Sequence, residues 1–384
     1  MQMVDGVGAR QEQANFEGGY FHLMPTHSNV HEVLANGLPP RMVWVWLLYA
    51  GMDRQLLERY YPILWGAAEF FRNWMVYQGP GGKYFTGACI DVNESVPAVR
   101  NGAATIAGAR GSMEIAAHAA ERLGRDPELI AVWREIAAGL TQEMRTTRRG
   151  LLAAHDADEG VSCATLVSCV ASVFTNGWVR PDDPRLRRTL EVWLKECKTR
   201  ENWAVSRAAD PNTAPVSQDV DNPDPTAWTW LGAFAIEVAA AMRDGDLTMP
   251  IIAELIRNAN NFGSLYECKV MTDGFIGRPW FVTSSVELSA GIMMMFVQDD
   301  GDQIELLPAI PATWQNFSFQ LAVTNRTTVR VAVREGTLHS LELTGPTAPR
   351  QVRISTRFKP TALLGAPIRE DTVGQTFVLT PKTT

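Results

Sequence analysis

Several large classes of protein are excluded by what the sequence lacks. Its five cysteines (Cys89, Cys163, Cys169, Cys197, Cys268) are scattered and odd in number. They form neither a disulfide framework nor a zinc-ligand pattern and are expected as buried free thiols. No long apolar run exists. The most apolar window, Met42 to Leu48, falls far short of the ~20 residues a spanning helix needs, so no membrane span is expected. Met1 to Arg10 holds Asp5 and no apolar stretch, so no signal peptide is visible. The expectation is a soluble chain, cytoplasmic, or exported if the N terminus is truncated. A basic excess is missing too. With 35 Lys and Arg against 42 Asp and Glu the formal charge is -7, which disfavours nucleic acid as a partner. There is no nucleophile elbow, Walker loop, dinucleotide glycine fingerprint or metalloprotease helix. Hydrolysis or elimination by carboxylates and amides is left, with no cofactor and no metal expected.

What is present is a packed chain of two domains. Its 384 residues exceed one small domain, and 46% hydrophobic with 20% charged residues is ordinary for a globular core. The first three quarters read as helices. Leu57, Tyr61, Leu64, Ala68, Phe71 and Met75 form an apolar stripe that predicts a helix over Leu56 to Gln78. Further helices are predicted over Ala103 to Leu123, Leu129 to Leu140, Leu186 to Cys197, Thr226 to Met242, Ile251 to Ala259 and Val286 to Val297. Asp126-Pro127, Asp183-Pro184 and Asp224-Pro225 each stand before such a run, where Asp accepts from free first-turn amides and Pro loses nothing. Stacked hairpins of this kind close into an α/α toroid, though a bundle or a superhelical array has the same periodicity. After about Gln303 the period changes to two: Phe317 to Leu321, Thr328 to Val333, Leu338 to Leu343, Gln351 to Ile354 and Thr376 to Leu379 read as strands. The expected division is a helical catalytic domain over 1–302 and a small antiparallel β-sandwich over 303–384.

Four clusters carry possible chemistry. The loop Cys89 to Pro97 sets Asn93 beside Glu94 between two helices, with Arg100 and Asn101 downstream to hold a substrate hydroxyl or fix the loop. A partly desolvated Glu keeps its proton near neutral pH and serves as a general acid. In Thr26 to Glu32, His27 and His31 have the i, i+4 spacing of a metal pair. No further ligand pair supports a metal, and amide and imidazole groups aimed at a sugar or a water read better. The stretch Glu201 to Trp230 places Asp210, Asp219, Asp221 and Asp224 ahead of Trp228 and Trp230, a composition suited to a carbohydrate cleft. Met271 to Glu287 offers Asp273 and Glu287 as a second catalytic carboxylate, with Arg278 and Trp280 to clamp and stack a ring. Each cluster also has an ordinary reading: a solvated turn, histidines capping helix ends, an exposed loop, or an Asp-Gly turn followed by a helix-face Glu.

The residues from Val286 to Pro311, with Val297-Gln298, Asp300-Gly301, Ile304-Glu305-Leu306-Leu307-Pro308-Ala309-Ile310-Pro311 and Trp314, resemble the junction between barrel and C-terminal sandwich in glycoside hydrolase family 95. Tyr61-Pro62-Ile63-Leu64 with Ala67 to Phe71 resembles that family's barrel helix before the acid loop. The family holds inverting α-L-fucosidases and α-L-galactosidases with an (α/α)6 barrel, a six-hairpin glycosidase. The resemblance covers roughly Thr26 to the C terminus and implies Glu94 as general acid, with Asn29 and His31 helping to activate water. Where the family has a catalytic Asp, counting back from Leu307-Pro308 gives Thr283, so the resemblance leaves Asp273, Glu287 or His31 to take its part. The family's large N-terminal β domain and first barrel helices have no visible counterpart, so a fragment or an incomplete ring is expected.

The reading is therefore a glycoside hydrolase acting by inversion on an oligosaccharide or polysaccharide. Glu94 is its acid, Asp273 first and Glu287 second its water-activating carboxylate, and the two carboxyls are expected about 6.5–9.5 Å apart. Asn29, His31, Asn93, Asn101, Trp228, Trp230, Arg278, Trp280 and Thr283 are the expected substrate contacts. Two other readings stay open: a carbohydrate-binding remnant without turnover, and a polysaccharide lyase using His31 as base.

Overall fold

The computed structural model describes residues 34–89, 91, 100–140, 146–156, 181–198, 204–206, 225–257, 259, 263–266, 268–270, 276–277, 280–358 and 364–383. The chain divides into two compact units, Met1–Val45 with Arg54–Pro225, and Trp46–Asp53 with Thr226–Thr384. Helix α1 (Leu38–Tyr49) begins in the first and ends in the second.

The first unit is built on α3 (Ala103–Leu123), whose alanines and glycines are buried around most of its girth. Small side chains let α2 (Arg54–Phe70) and α4 (Pro127–Leu140) pack closely on it. At the end of α3, Gly124 takes φ +70° and its amide bonds the carbonyls of Ala120 and Glu121, a left-handed cap suited to glycine. Asp126-Pro127 starts α4 as the sequence predicts, but the Asp126 carboxylate accepts the Tyr61 hydroxyl of α2 at 2.5 Å. Asp183 does cap α5 (Pro184–Lys198), its Oδ1 accepting from the amide of Arg185 at 2.8 Å.

One helical expectation in this unit is corrected. The stripe from Leu56 to Gln78 does not stay helical to its end. α2 stops at Phe70, a π turn covers Phe71–Met75, and Val76–Gln78 becomes strand β1. Asn73 Nδ2 donates back to the Glu69 carbonyl at 2.8 Å, which loosens the helical ladder. Gly79-Pro80-Gly81-Gly82 then turns the chain so that β1 pairs antiparallel with β2 (Tyr84–Thr86). A short strand β3 (Ala204–Ser206) completes the described elements of this unit.

Among its described residues the second unit joins three helices to three sheets, a small one and two larger ones. The helix predicted from Thr226 begins three residues later: Pro225–Trp228 is strand β4, paired antiparallel with β5 (Cys268–Val270), which pairs with β6 (Ile276–Gly277). Helices α6 (Thr229–Ala241), α7 (Gly245–Arg257) and α8 (Val282–Phe296) follow. The strands then form a three-stranded sheet, in order β11 (Thr337–Thr344), β10 (Thr327–Arg334), β9 (Phe317–Val323). The second sheet has the order β13 (Arg369–Glu370), β14 (Gly374–Leu379), β12 (Arg350–Ser355), β8 (Gln303–Leu306), β7 (Val297–Asp299). It is not wholly antiparallel, as the sequence predicts, because β12 runs parallel to β8. The chain leaves β8 for the other sheet and re-enters beside it in the same direction. Alternate residues Val329, Val331 and Val333 meet Ile304, Leu306, Val352, Ile354 and Phe377 in one core, flanked by Phe296, Trp314, Phe317 and Phe319.

This core is threaded by a buried ion pair that sequence patterning does not reveal. Arg350 donates to the Thr324 carbonyl and hydroxyl, each at 2.9 Å, and reaches Asp299 at 3.4 Å. Asp299 also accepts the amides of Thr324 (2.7 Å) and Gly301 (2.9 Å). Every oxygen of the carboxylate is thus engaged, which is the condition for burying the pair.

Candidate functional site

Of the residues singled out from the sequence, Asn29, His31, Asn93, Glu94, Asp273 and Arg278 lie outside the described residues, as does the side chain of Trp228. Asn101, Trp230, Trp280, Thr283 and Glu287 are described.

In the first unit, both ends of the segment that carries Asn93 and Glu94 are tied down. Asp91 is buried and caps α3: its Oδ1 accepts the Thr105 amide (3.0 Å) and hydroxyl (2.8 Å), and its Oδ2 accepts the Ala104 amide (3.3 Å). Burial pushes its carboxyl above the usual range, and these hydrogen bonds partly offset that rise. Cys89 is a buried thiol, 3.5 Å from the Thr105 hydroxyl. Downstream, Asn101 takes φ +53°, accepts the Thr86 amide at 2.9 Å and donates to Asp156 at 3.0 Å. Its amide thus joins the end of β2 to Asp156. Gly102 has no room for a side chain, since a Cβ there would stand 2.5 Å from Asp91 Cγ.

In the second unit, α6 and α8 bring several of the remaining residues to one end. The Thr229 hydroxyl, at the start of α6, lies 2.8 Å from the Ser284 hydroxyl at the start of α8, and both reach the carbonyl of Tyr266. Two turns on, a Cβ on Gly291 of α8 would stand 3.3 Å from the Glu237 amide and 2.8 Å from Ile236 Cγ2 of α6. The two contacts advance in the same sense, so the helices run parallel, and Gly291 permits their close approach. Thr283 is exposed beside Ser284, Trp280 is 64% exposed just before α8, and Trp230 is half-buried, edge-on to Phe234 at 5.9 Å.

Between these helices sits a residue the sequence reading passed over. Glu237 is 5% exposed, and its Oε1 has no hydrogen-bond partner. Its carboxyl shares a side-chain hydrogen bond with Glu287, the half-buried carboxylate that sequence did select. Burial raises the Glu237 carboxyl far above the carboxylate range, and the hydrogen bond and charge of Glu287 raise it further. A signal was present: a single acid inside the otherwise apolar run Phe234 to Ala241 is out of place on a helix buried on most sides.

A hollow of about 660 Å³ in the second unit, lined by Asp53, Asp302, Asn325, Arg326 and Arg350 among others, has no aromatic ring among its described lining residues. Its Arg326 donates to the Ala50 carbonyl, and its Arg350 belongs to the buried ion pair. Among the described residues no group of three His, Cys, Asp or Glu side chains converges on a possible metal position, and no helix is long and apolar enough to cross a membrane.

No protein-family model matches the chain, and no curated protein matches it either. Solved structures do resemble it. A protein assigned as a kojibiose phosphorylase from the human microbiome superposes with TM-score 0.55 at 8% identity, covering 93% of this chain and 48% of that one. An α-L-rhamnosidase from Dictyoglumus thermophilum gives 0.53 at 11% identity, covering 89% of this chain and 38% of its own. A family 78 rhamnosidase from Bacillus sp. GL1 gives 0.51 at 10% identity, over 83% and 33%. The chain thus spans less than half the length of each. At these identities the likeness is one of fold alone: helices and several β-sheets, consistent with a toroid-like glycosidase fold.

Proposed function

We propose that this chain is a carbohydrate-active enzyme, a glycoside hydrolase that cleaves an oligosaccharide or polysaccharide with inversion. The observation that carries the reading is the shared fold with two rhamnosidases and a phosphorylase, each named for action on a glycoside. Glu94 is the proposed general acid, delivering its proton to the leaving oxygen while Asp273 or Glu287 activates the attacking water. The tied ends of the Glu94 segment, through Asp91 and Asn101, support this role, because an acid works only from a fixed position. Asn29, His31, Asn93, Trp228, Trp230, Arg278, Trp280 and Thr283 are the proposed sugar contacts. In this reading 1–302 is the catalytic domain and 303–384 the appended β domain. The family 95 likeness is kept as the finer form of the proposal, with an α-L-fucoside or α-L-galactoside as the first substrates to try.

The phosphorylase likeness favours a second reading, in which phosphate rather than water attacks the anomeric carbon. A panel of aryl glycosides and oligosaccharides, incubated with and without inorganic phosphate, separates the two. Hydrolysis gives free sugar of inverted anomeric form by NMR in either buffer. Phosphorolysis gives a sugar phosphate only when phosphate is present. Binding without release of product in both buffers overturns the enzymatic reading and leaves a carbohydrate-binding remnant. An unsaturated product with ultraviolet absorbance points to a lyase instead.

A further inference from the structure

We propose that Glu237 is a positioning residue for Glu287: it keeps a buried proton and donates it in a hydrogen bond to the Glu287 carboxylate, fixing that group between the two parallel helices. The arrangement follows from the packing. Gly291 lets α8 approach α6 until a Cβ would meet the backbone of Glu237, and the Thr229–Ser284 contact sets the register. Glu237 is 5% exposed, with its Oε1 lacking any partner, so an ionised carboxylate here would be left buried and half-solvated. A protonated carboxyl has no such cost. It needs one acceptor, and Glu287 supplies it.

No other described charge competes. The helices packed on α6 are α7 and α8. Their described charged side chains are Asp246 and Glu254 on α7 and Glu287 on α8, and Glu287 alone bears on Glu237. The folded-state pKa of Glu237 is raised above its unfolded value. Stability from this group is therefore complete below the unfolded carboxyl pKa and is lost as pH rises toward the folded one. At neutral pH the native chain holds a proton that the unfolded chain does not.

The positioning role rests on the proposed function, since it matters for turnover only if Glu287 activates water. The proton itself does not, and it is tested first. The full chain and Glu237→Gln are unfolded at pH 7 in weak buffer and proton release is followed. The natural chain is expected to release about one proton more than Glu237→Gln, and Glu237→Gln is expected to lose a protonated-carboxyl stretch from the infrared spectrum at pH 7. If Glu237→Gln does not fold, Glu287→Gln serves: the same stretch persists but shifts, because its acceptor is now an amide. An infrared spectrum at pH 7 with no protonated carboxyl in the natural chain, or with the same one in Glu237→Gln, overturns the proposal. With a substrate in hand, Glu237→Leu is expected to move the acid limb of the kcat/KM–pH profile, while Glu237→Gln, which keeps a donor, holds KM unchanged. If the buried proton is found and no substrate turns over, the functional reading fails while the carboxyl pair stands. If turnover is found and the buried proton is not, the pair fails alone.

Discussion

At the scale of single residues, buried carboxylates separate by their donors. Glu69 is 3% exposed and receives hydrogen bonds from Arg72 (2.7 Å through Nε), Trp133 Nε1 (2.8 Å) and Asn73 (3.2 Å). Burial works to raise its pKa, but these donors, Arg72 first, outweigh it and hold the carboxyl below the ordinary range. Its stabilising contribution is therefore present above the unfolded carboxyl pKa and is lost as pH falls through the lower, folded value. Glu69→Gln is expected to cost about 1.5–3 kcal/mol at pH 7, the range for a hydrogen bond to a charged group. Urea denaturation at pH 7 and pH 3 checks this, and the cost should shrink at the lower pH. Glu237 is the opposite case: one charged neighbour of like sign, one oxygen without a partner, and a pKa driven up.

At the scale of elements, the α6–α8 pair depends on a position with no side chain. Gly291→Val would drive two methyl groups into Ile236 and the Glu237 backbone, and overpacking of this kind costs roughly 1–3 kcal/mol. A lowered denaturation midpoint with an unchanged m-value is expected, whereas a stability equal to the natural chain would show that the helices are not so close. In the sandwich, Asp299→Ala leaves Arg350 buried and unpaired, which is expected to cost roughly 3–5 kcal/mol by the same measurement. Most of these elements are legible in the sequence. α3 begins and ends where the stripe from Ala103 to Leu123 says, and the hairpin at Glu335-Gly336 follows from alternation and a turn. Both hairpin loop residues take positive φ (+50° and +71°), which the glycine makes easy. The failures share a cause. Apolar periodicity reads Phe71 to Gln78 and Thr226 to Trp228 as helix, but it does not see side chains that bond the backbone or a strand partner distant in sequence. Likewise Glu287 was visible in the sequence as an acid near aromatics, but its partner Glu237 was hidden in an apolar run. Only the packing of α6 on α8 joins them.

At the scale of the whole molecule, the chain shares a fold with two rhamnosidases and a phosphorylase at 8–11% identity. Low identity over a shared fold is expected when layered helices need only small and apolar residues at their contacts, as α3 and α6 illustrate. Fold does not fix chemistry, so the functional claim stands on Glu94. The measurement that tests it most directly is turnover by the natural chain and Glu94→Gln of two aryl glycosides of the same sugar, one with a good leaving group and one with a poor one. A missing general acid should lower kcat/KM for the poor leaving group by about 10²–10⁴ and affect the good one far less. Equal activity of Glu94→Gln and the natural chain on both substrates would contradict the account.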